Sequence, residues 1–303
     1  GAGSPTGIIV YEGDLLPSVF RNQVIHCDAG PSVVRAYPAT REGAGYSAEV
    51  VDVLNGAAKD KWFRPSDVVT APDGSLIAAD WYDPGVGGHN MRDLDRGRLF
   101  LVAPPDHKYK SPKVDVSSIA GAVAALKSPN EAARYLAWHA LHKQGAKAEP
   151  ALQKLYADAN PRYRARALWL LGKTEGRGAH YVNLAAGDKD ADIRIVAIRL
   201  ARQLADVDAL AIAEKLATDP SAAVRRECAV AIRHAKNDRA AEIWAELASR
   251  HDGEDRWYLE ALGIASDLNA DACFAAWLDK VDGKWNTPGG RDVVWRVRAK
   301  AAP

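Results

Sequence analysis

The chain has 303 residues, 48% of them hydrophobic, and a formal net charge of +1. That length holds two domains with packed cores, while the near-neutral charge offers no basic footprint for nucleic acid. No segment approaches the run of about 18 apolar residues that a bilayer-spanning helix needs. The three cysteines, Cys27, Cys228 and Cys273, form neither a CxxC nor a zinc spacing; Cys228 and Cys273 read as small buried apolar residues, and Cys27, beside His26 in a strand pattern, reads as structural, with a metal site as the alternative.

From Gly1 to about Pro105 the pattern is one of short strands and turns. Gly7–Tyr11, Gln23–Cys27, Ser32–Tyr37, Ala48–Val53, Ser66–Thr70, Ser75–Asp80 and Arg98–Val102 are β-branched or alternating runs. Turn-rich words separate them, among them Ala71-Pro72-Asp73-Gly74. Such a succession predicts a sandwich, barrel or propeller.

The loop from Asp80 to Asp95 concentrates residues that can carry chemistry: Asp80, Asp83, Asp93 and Asp95, with Trp81, Tyr82 and His89 among glycines. Asp80 and Asp83 with loop carbonyls could ligate Ca²⁺. Trp81 and Tyr82 could stack on a sugar ring, and His89 could serve as base or ligand. The alternative is an ordered loop in which Asp80 and Asp83 cap turns and pair with Arg92, Arg96 or Arg98. Arg64 and Asp67 complete the candidate binding set, with Arg64 either meeting an anion or closing a rim salt bridge.

Pro104 to Lys113 is rich in proline and lysine and reads as an extended connection. The expected division is thus sheets over 1–105, a linker over 106–116, and helices over 117–303.

The helical part repeats. Arg134, Arg164, Arg194, Arg225 and Arg256 stand 30, 30, 31 and 31 residues apart, in words such as Tyr163-Arg164-x-x-Ala167 and Ile193-Arg194-x-x-Ala197. Apolar residues at helical spacing follow each arginine, and Leu155, Leu184, Leu216, Leu247 and Leu278 mark a second stripe. Asp158, Asp188 and Asp219 open their copies and suit helix N-caps, and with the arginines they predict a ladder along one edge. Two helices per period describe a HEAT-like α-solenoid of about five to six helix pairs, which must stack to bury its apolar faces. The helical histidines read as packing and surface residues, and Trp138, Trp169, Trp244, Trp257, Trp277, Trp285 and Trp295 are expected to fill layers between the helices.

Several phrases, in order, carry a resemblance: Ser4-Pro5-Thr6-Gly7-Ile8, Tyr11-x-Gly13-Asp14, Asp67-Val68-x-x-Ala71-Pro72-Asp73-Gly74-Ser75-Leu76, Asp80-Trp81-Tyr82-Asp83-Pro84-Gly85-Val86-Gly87-Gly88-His89 and Gly97-Arg98-Leu99-Phe100. They resemble the last blades of the glucose/sorbosone dehydrogenase propeller. More closely, they resemble the PVC-type heme-binding proteins with a membrane-bound dehydrogenase domain, in which HEAT-like repeats follow the propeller. The resemblance implies a mixed fold, a partial β-propeller of about two blades followed by the solenoid, forming an internal fragment of a longer extracytoplasmic protein. That parent would oxidise sugars or related polyols, with PQQ and Ca²⁺ and a c-type heme as its cofactors. The other blades, a heme domain, a carbohydrate ligand and a protein docked on the solenoid would be its partners.

This sequence departs from the pattern in ways that bear on activity. The family's catalytic histidine belongs to an earlier blade. The two arginines that meet the quinone correspond to Arg64 and Ser66, and an expected lysine falls near Ala29. The heme motif CxxCH is not in this chain. By itself the fragment is expected to be inactive. The second reading, from a different class, is a non-catalytic scaffold binding carbohydrate or protein.

Overall fold

The computed structural model describes residues 3–84 and 95–302. Nine strands precede twelve α-helices among the described residues, so the fold is mixed, antiparallel sheets first and helices after. By packing, the chain forms two compact units: residues 1–40 with 47–140, and residues 41–46 with 141–303.

The first unit is built on two antiparallel sheets. Strands β1 (Pro5–Tyr11), β2 (Gln23–Asp28), β3 (Val33–Tyr37) and β6 (Val51–Asn55) form one, in the order β1-β2-β3-β6. Strands β7 (Pro65–Thr70), β8 (Leu76–Asp80) and β9 (Arg98–Val102) form the other. Strict alternation decides which faces meet. Ile25, Cys27, Val34 and Ala36 from the first sheet share one core with Val68, Leu76 and Ala78 from the second. The buried Tyr11 hydroxyl fastens that core, donating to the Gly74 carbonyl (2.7 Å) and accepting from the Leu16 amide (3.0 Å). Gly74 occupies φ +90°, a value its lack of a Cβ permits, in the turn between β7 and β8.

Residues beyond β9 are tied to this unit. The His107 ring meets the Asp73 carboxylate at 2.8 Å, and the Lys110 amide donates to the same oxygen. Helix α1 (Ile119–Ala125) follows, with Ser118 as its N-cap. Helix α2 (Glu131–Gln144) begins in this unit, where Asn130 donates to the Thr70 carbonyl (2.7 Å).

The remaining helices are α3 (Glu149–Tyr156), α4 (Pro161–Leu171), α5 (Gly178–Ala186), α6 (Ala191–Ala201), α7 (Ala209–Leu216), α8 (Ala222–Ile232), α9 (Asp238–Ala248), α10 (Arg256–Ser266), α11 (Ala270–Lys280) and α12 (Pro288–Val297). They make a two-layered array: α4, α6, α8, α10 and α12 pack each on the next, and α5, α7, α9 and α11 do likewise. Ala167, Ala197 and Cys228, each three residues after a repeat arginine, are fully buried, because only small side chains fit where these helices approach.

The structure corrects three sequence expectations. First, the N-caps are Asn160, Asp190, Ser221 and Asp255 rather than Asp158, Asp188 and Asp219. The three expected aspartates lie two residues earlier and accept the amide of the capping residue at 2.8–2.9 Å, which is Asx-turn geometry. Second, Leu184 is exposed on α5, because the repeat places Ala185, not Leu184, in register with Leu155, Leu216 and Leu247. Third, the run Ala48–Val53 is not one strand. Its start belongs to a hairpin, β4 (Ala39–Glu42) and β5 (Gly45–Ala48), and β6 begins afresh at Val51. Trp244 and Trp277 fill the helical core as expected, whereas Trp257 and Trp295 are exposed.

Candidate functional site

The residues singled out around the end of β8 converge on Asp80. Its side chain is fully buried, and its oxygens accept three N–H hydrogen bonds and an ion-pair contact. Oδ1 takes the amides of Arg64 (2.7 Å) and Tyr82 (2.9 Å), and Oδ2 takes Nε of Arg98 (2.7 Å) and lies 2.6 Å from its Nη2. Arg98 reaches on to Asp60 at 2.7 Å and lies under the Tyr82 ring, 4.1 Å from its centroid. Hydrogen bonds from Arg98, and its charge, hold the Asp60 carboxyl below its ordinary range. Register explains the convergence, since Asp80 pairs with Pro65 on one side and with Arg98 on the other. A carboxylate whose lone pairs face N–H donors in this way organises a turn and is poorly disposed to hold a cation or abstract a proton.

The other candidates are distributed around this centre. Arg64 donates to the Ser32 hydroxyl (2.6 Å) and to the carbonyls of Phe63 and Pro84, while its buried Nε has no acceptor among the described residues. Tyr82 adopts φ +54° and packs against Trp62, with ring centroids 5.5 Å apart. Asp83 is buried and its amide donates to the Trp62 carbonyl. Trp81 is 56% exposed. Asp67, on the outward face of β7, accepts the Val68 amide and stands apart from the Asp80 network. His89 lies outside the described residues, as do Arg92 and Asp93. The structure therefore brings Arg64, Asp80, Tyr82 and Arg98 together, with Trp81 at the surface.

The quinone implied by resemblance fits these residues poorly. A tricarboxylate needs several free cations to offset its desolvation. Arg64 is engaged by neutral oxygens, the Ser66 hydroxyl faces the Ala79 carbonyl (3.4 Å), and Ala29 carries no charge. Among the described residues, no three His, Cys, Asp or Glu side chains are grouped as a metal would require. The three cysteines are buried and far apart in sequence, unlike a heme-attachment pair.

A second feature was not expected from the sequence. Residues 41–46, the tip of the β4–β5 hairpin, belong to the helical unit. Asp255, the N-cap of α10, accepts the Ala44 amide at 2.7 Å, and Arg226 on α8 donates to the Ala44 carbonyl. Arg41 pairs with Asp192 at the start of α6. The flanking glycines are dictated by space, because a Cβ at Gly43 would overlap the Asp255 carboxylate and one at Gly45 would overlap the Trp257 ring. Glycines on both sides of Ala44 were the only hint available in the sequence. Beside this tip is a cleft of about 410 Å³ whose lining includes Arg225, Arg250, Trp257 and Tyr258.

Residues 1–108 match a family model described as a domain of unknown function, DUF7133. The match takes in all the strands and stops short of the helices. No curated protein matches the chain.

Proposed function

We propose that the chain is a binding and docking module of a larger, extracytoplasmic, dehydrogenase-like heme protein that acts on sugars or related polyols. In this reading the two sheets are neighbouring blades of a β-propeller and the helices are a HEAT-like solenoid. The module itself is non-catalytic.

The observation that carries the reading is the disposition of apolar surface on the sheets. One face of each is buried against the other, yet the opposite faces are apolar too. Leu99 (75% exposed), Leu101 and Val69 lie on the outward face of the second sheet, and Ile8 and Val10 on that of the first. Exposed apolar sheet faces of this kind mark an interaction site, and in a propeller each blade packs against its neighbours. The engaged Asp80 and the poor fit to PQQ favour binding over catalysis within this chain. Trp81 and Tyr82 would supply the stacking surface for a carbohydrate.

Light scattering tests the blade reading. The chain should self-associate through its outward sheet faces at high concentration, and Leu99→Lys with Leu101→Lys should suppress this. A wild-type chain that stays monomeric at all concentrations would count against unpaired blades. Dye reduction by the natural full-length protein, with a panel of sugars and polyols, tests the parent activity. Binding of sugar without any turnover would reduce the assignment to the carbohydrate-binding scaffold.

A further inference from the structure

The β4–β5 hairpin is held at its tip. Among the described residues its two strands pair only with each other, and the side chains of Ala39–Glu42 and Tyr46–Ala48 are exposed. A two-stranded hairpin alone in water is marginally stable. Ala44, at the tip, is by contrast fully buried within the helical unit. Side chains of the helices answer both polar groups of its backbone: Asp255 accepts the amide (2.7 Å), and Arg226 on α8 donates to the carbonyl.

This seat discriminates by size, by backbone and by charge. A Cβ at Gly43 would overlap the Asp255 carboxylate, and one at Gly45 would overlap the Trp257 ring. Gly43 also stands at φ +53°, where a side chain is strained. Enclosure of Ala44 leaves no space for a larger residue. Arg41 adds a charged contact to Asp192 at the start of α6 and lies over the Tyr46 ring, 5.7 Å from its centroid. The seat does not depend on the hairpin for its own shape, because Asp255 also caps α10 through the Tyr258 amide (2.9 Å) and Arg226 stands on a regular helix. Three helices, α6, α8 and α10, thus read one short turn as a peptide site reads its ligand: main-chain hydrogen bonds give affinity, and side-chain fit gives specificity.

We propose that residues 41–46 are the built-in occupant of a protein-docking seat on the helices. A partner protein is recognised there through an exposed turn of the same chemistry: a small residue between two glycines, with a basic side chain three positions earlier. The hairpin is the competitor that keeps weak partners out. Being tethered, it acts at an effective concentration of the order of mM. A partner displaces it by making tighter contacts or by being held close by. The Arg41–Asp192 pair is exposed and does little to resist displacement. Use of the seat for docking rests on the scaffold reading of the helices, whereas its capacity to take up a free turn is independent of the sheets being blades.

The test uses the whole chain and a peptide of the sequence 39–48, closed into a ring by a disulfide between cysteines added at its ends. A variant in which an Asn-Gly turn replaces residues 41–46 has a hairpin too short to reach the seat. Binding is followed through the indole N–H resonance of Trp257, assigned by its loss in Trp257→Phe. The peptide should bind the shortened chain saturably and about tenfold or more tighter than it binds the wild type, where the tip competes. Arg226→Gln in the shortened chain, and Ala44→Leu in the peptide, should each weaken binding about tenfold or more. Lack of a saturable shift in a shortened chain with wild-type circular dichroism overturns the proposal, as does equal binding by the wild type or indifference to Arg226→Gln. The wild type supplies a second measurement that needs no variant. Peptide at about 5 mM rivals the tethered tip and should accelerate hydrogen exchange at the chain's own Ala44 amide; unchanged exchange overturns the proposal even if the shortened chain fails to fold. Neither measurement bears on the light-scattering test of the sheets.

Discussion

Arg194 donates from Nε and Nη2 to the two carboxylate oxygens of Asp219, a residue 25 positions further along the chain, while Asp219 also holds the Ser221 amide. Both side chains are largely withdrawn from solvent, at 12% and 4% exposure. Burial and fork geometry raise the cost of breaking such a pair above that of a surface bridge.

Asp219→Ala should therefore lower stability by about 3 kcal/mol or more, because it strands a buried guanidinium. Arg239→Ala removes an equally well-formed pair of contacts, to Asp208 and Glu214, but those are exposed. Its loss should cost clearly less, because water screens exposed pairs. Urea unfolding of the two variants checks the contrast. Equal losses would mean that the ladder is as dispensable as any surface pair.

Acid should act through Asp73. Burial pushes its carboxyl up, but hydrogen bonds from the Ser75 hydroxyl, the His107 ring and the Ser75 and Lys110 amides outweigh that and bring it from 3.8 down to about 2. A carboxyl depressed in the folded state contributes stability that is full above its unfolded value. That contribution is lost as pH falls through the folded value, here between about pH 4 and about pH 2. Unfolding midpoints measured across that window should fall less steeply for Asp73→Asn than for the wild type. Parallel curves would remove Asp73 from the acid response.

The cysteines should be inert in the folded protein. Burial pushes the Cys27 and Cys273 thiols up to about 12, with the nearby Asp67 adding to the effect at Cys27, and burial raises Cys228 as well. Thiolate is the reactive form, so iodoacetamide at about pH 8 should modify none of them natively and all three in denaturant. Native labelling of any one would show that its region opens.

The hairpin tip should depend on Asp255. This side chain caps α10 by accepting the Tyr258 amide (2.9 Å) and also holds the Ala44 amide. Asp255→Ala removes both, at about 1–2 kcal/mol for the cap. Hydrogen exchange at the Ala44 amide should accelerate in this variant and in Gly45→Val, whose new side chain overlaps Trp257. Unchanged protection in both would mean that other contacts hold the tip.

Much of this was legible from local pattern. Alternation located β2, β3, β7, β8 and β9 to within a residue or so, because a half-buried strand cannot escape a period of two. The arginine period located the rungs at Arg164 and Arg194. The site was less legible. A run of Asp, Trp, Tyr and Gly is compatible with a metal loop and with a turn, and only the register that sets Asp80 against Arg98 shows where its oxygens point. Asp188 and the N-cap Asp190 are both plausible caps by composition, and backbone geometry chooses between them.

The sequence by itself determined the order of sheet and helix, the repeat, and the neutrality that excludes a nucleic-acid footprint, since each depends on residues close together along the chain. Tertiary structure alone decided that residues 41–46 join the helical unit, that Asp80 is enclosed by N–H donors, and that Arg164 and Arg194 each hold the aspartate of the next copy. Those facts depend on groups brought together from distant positions.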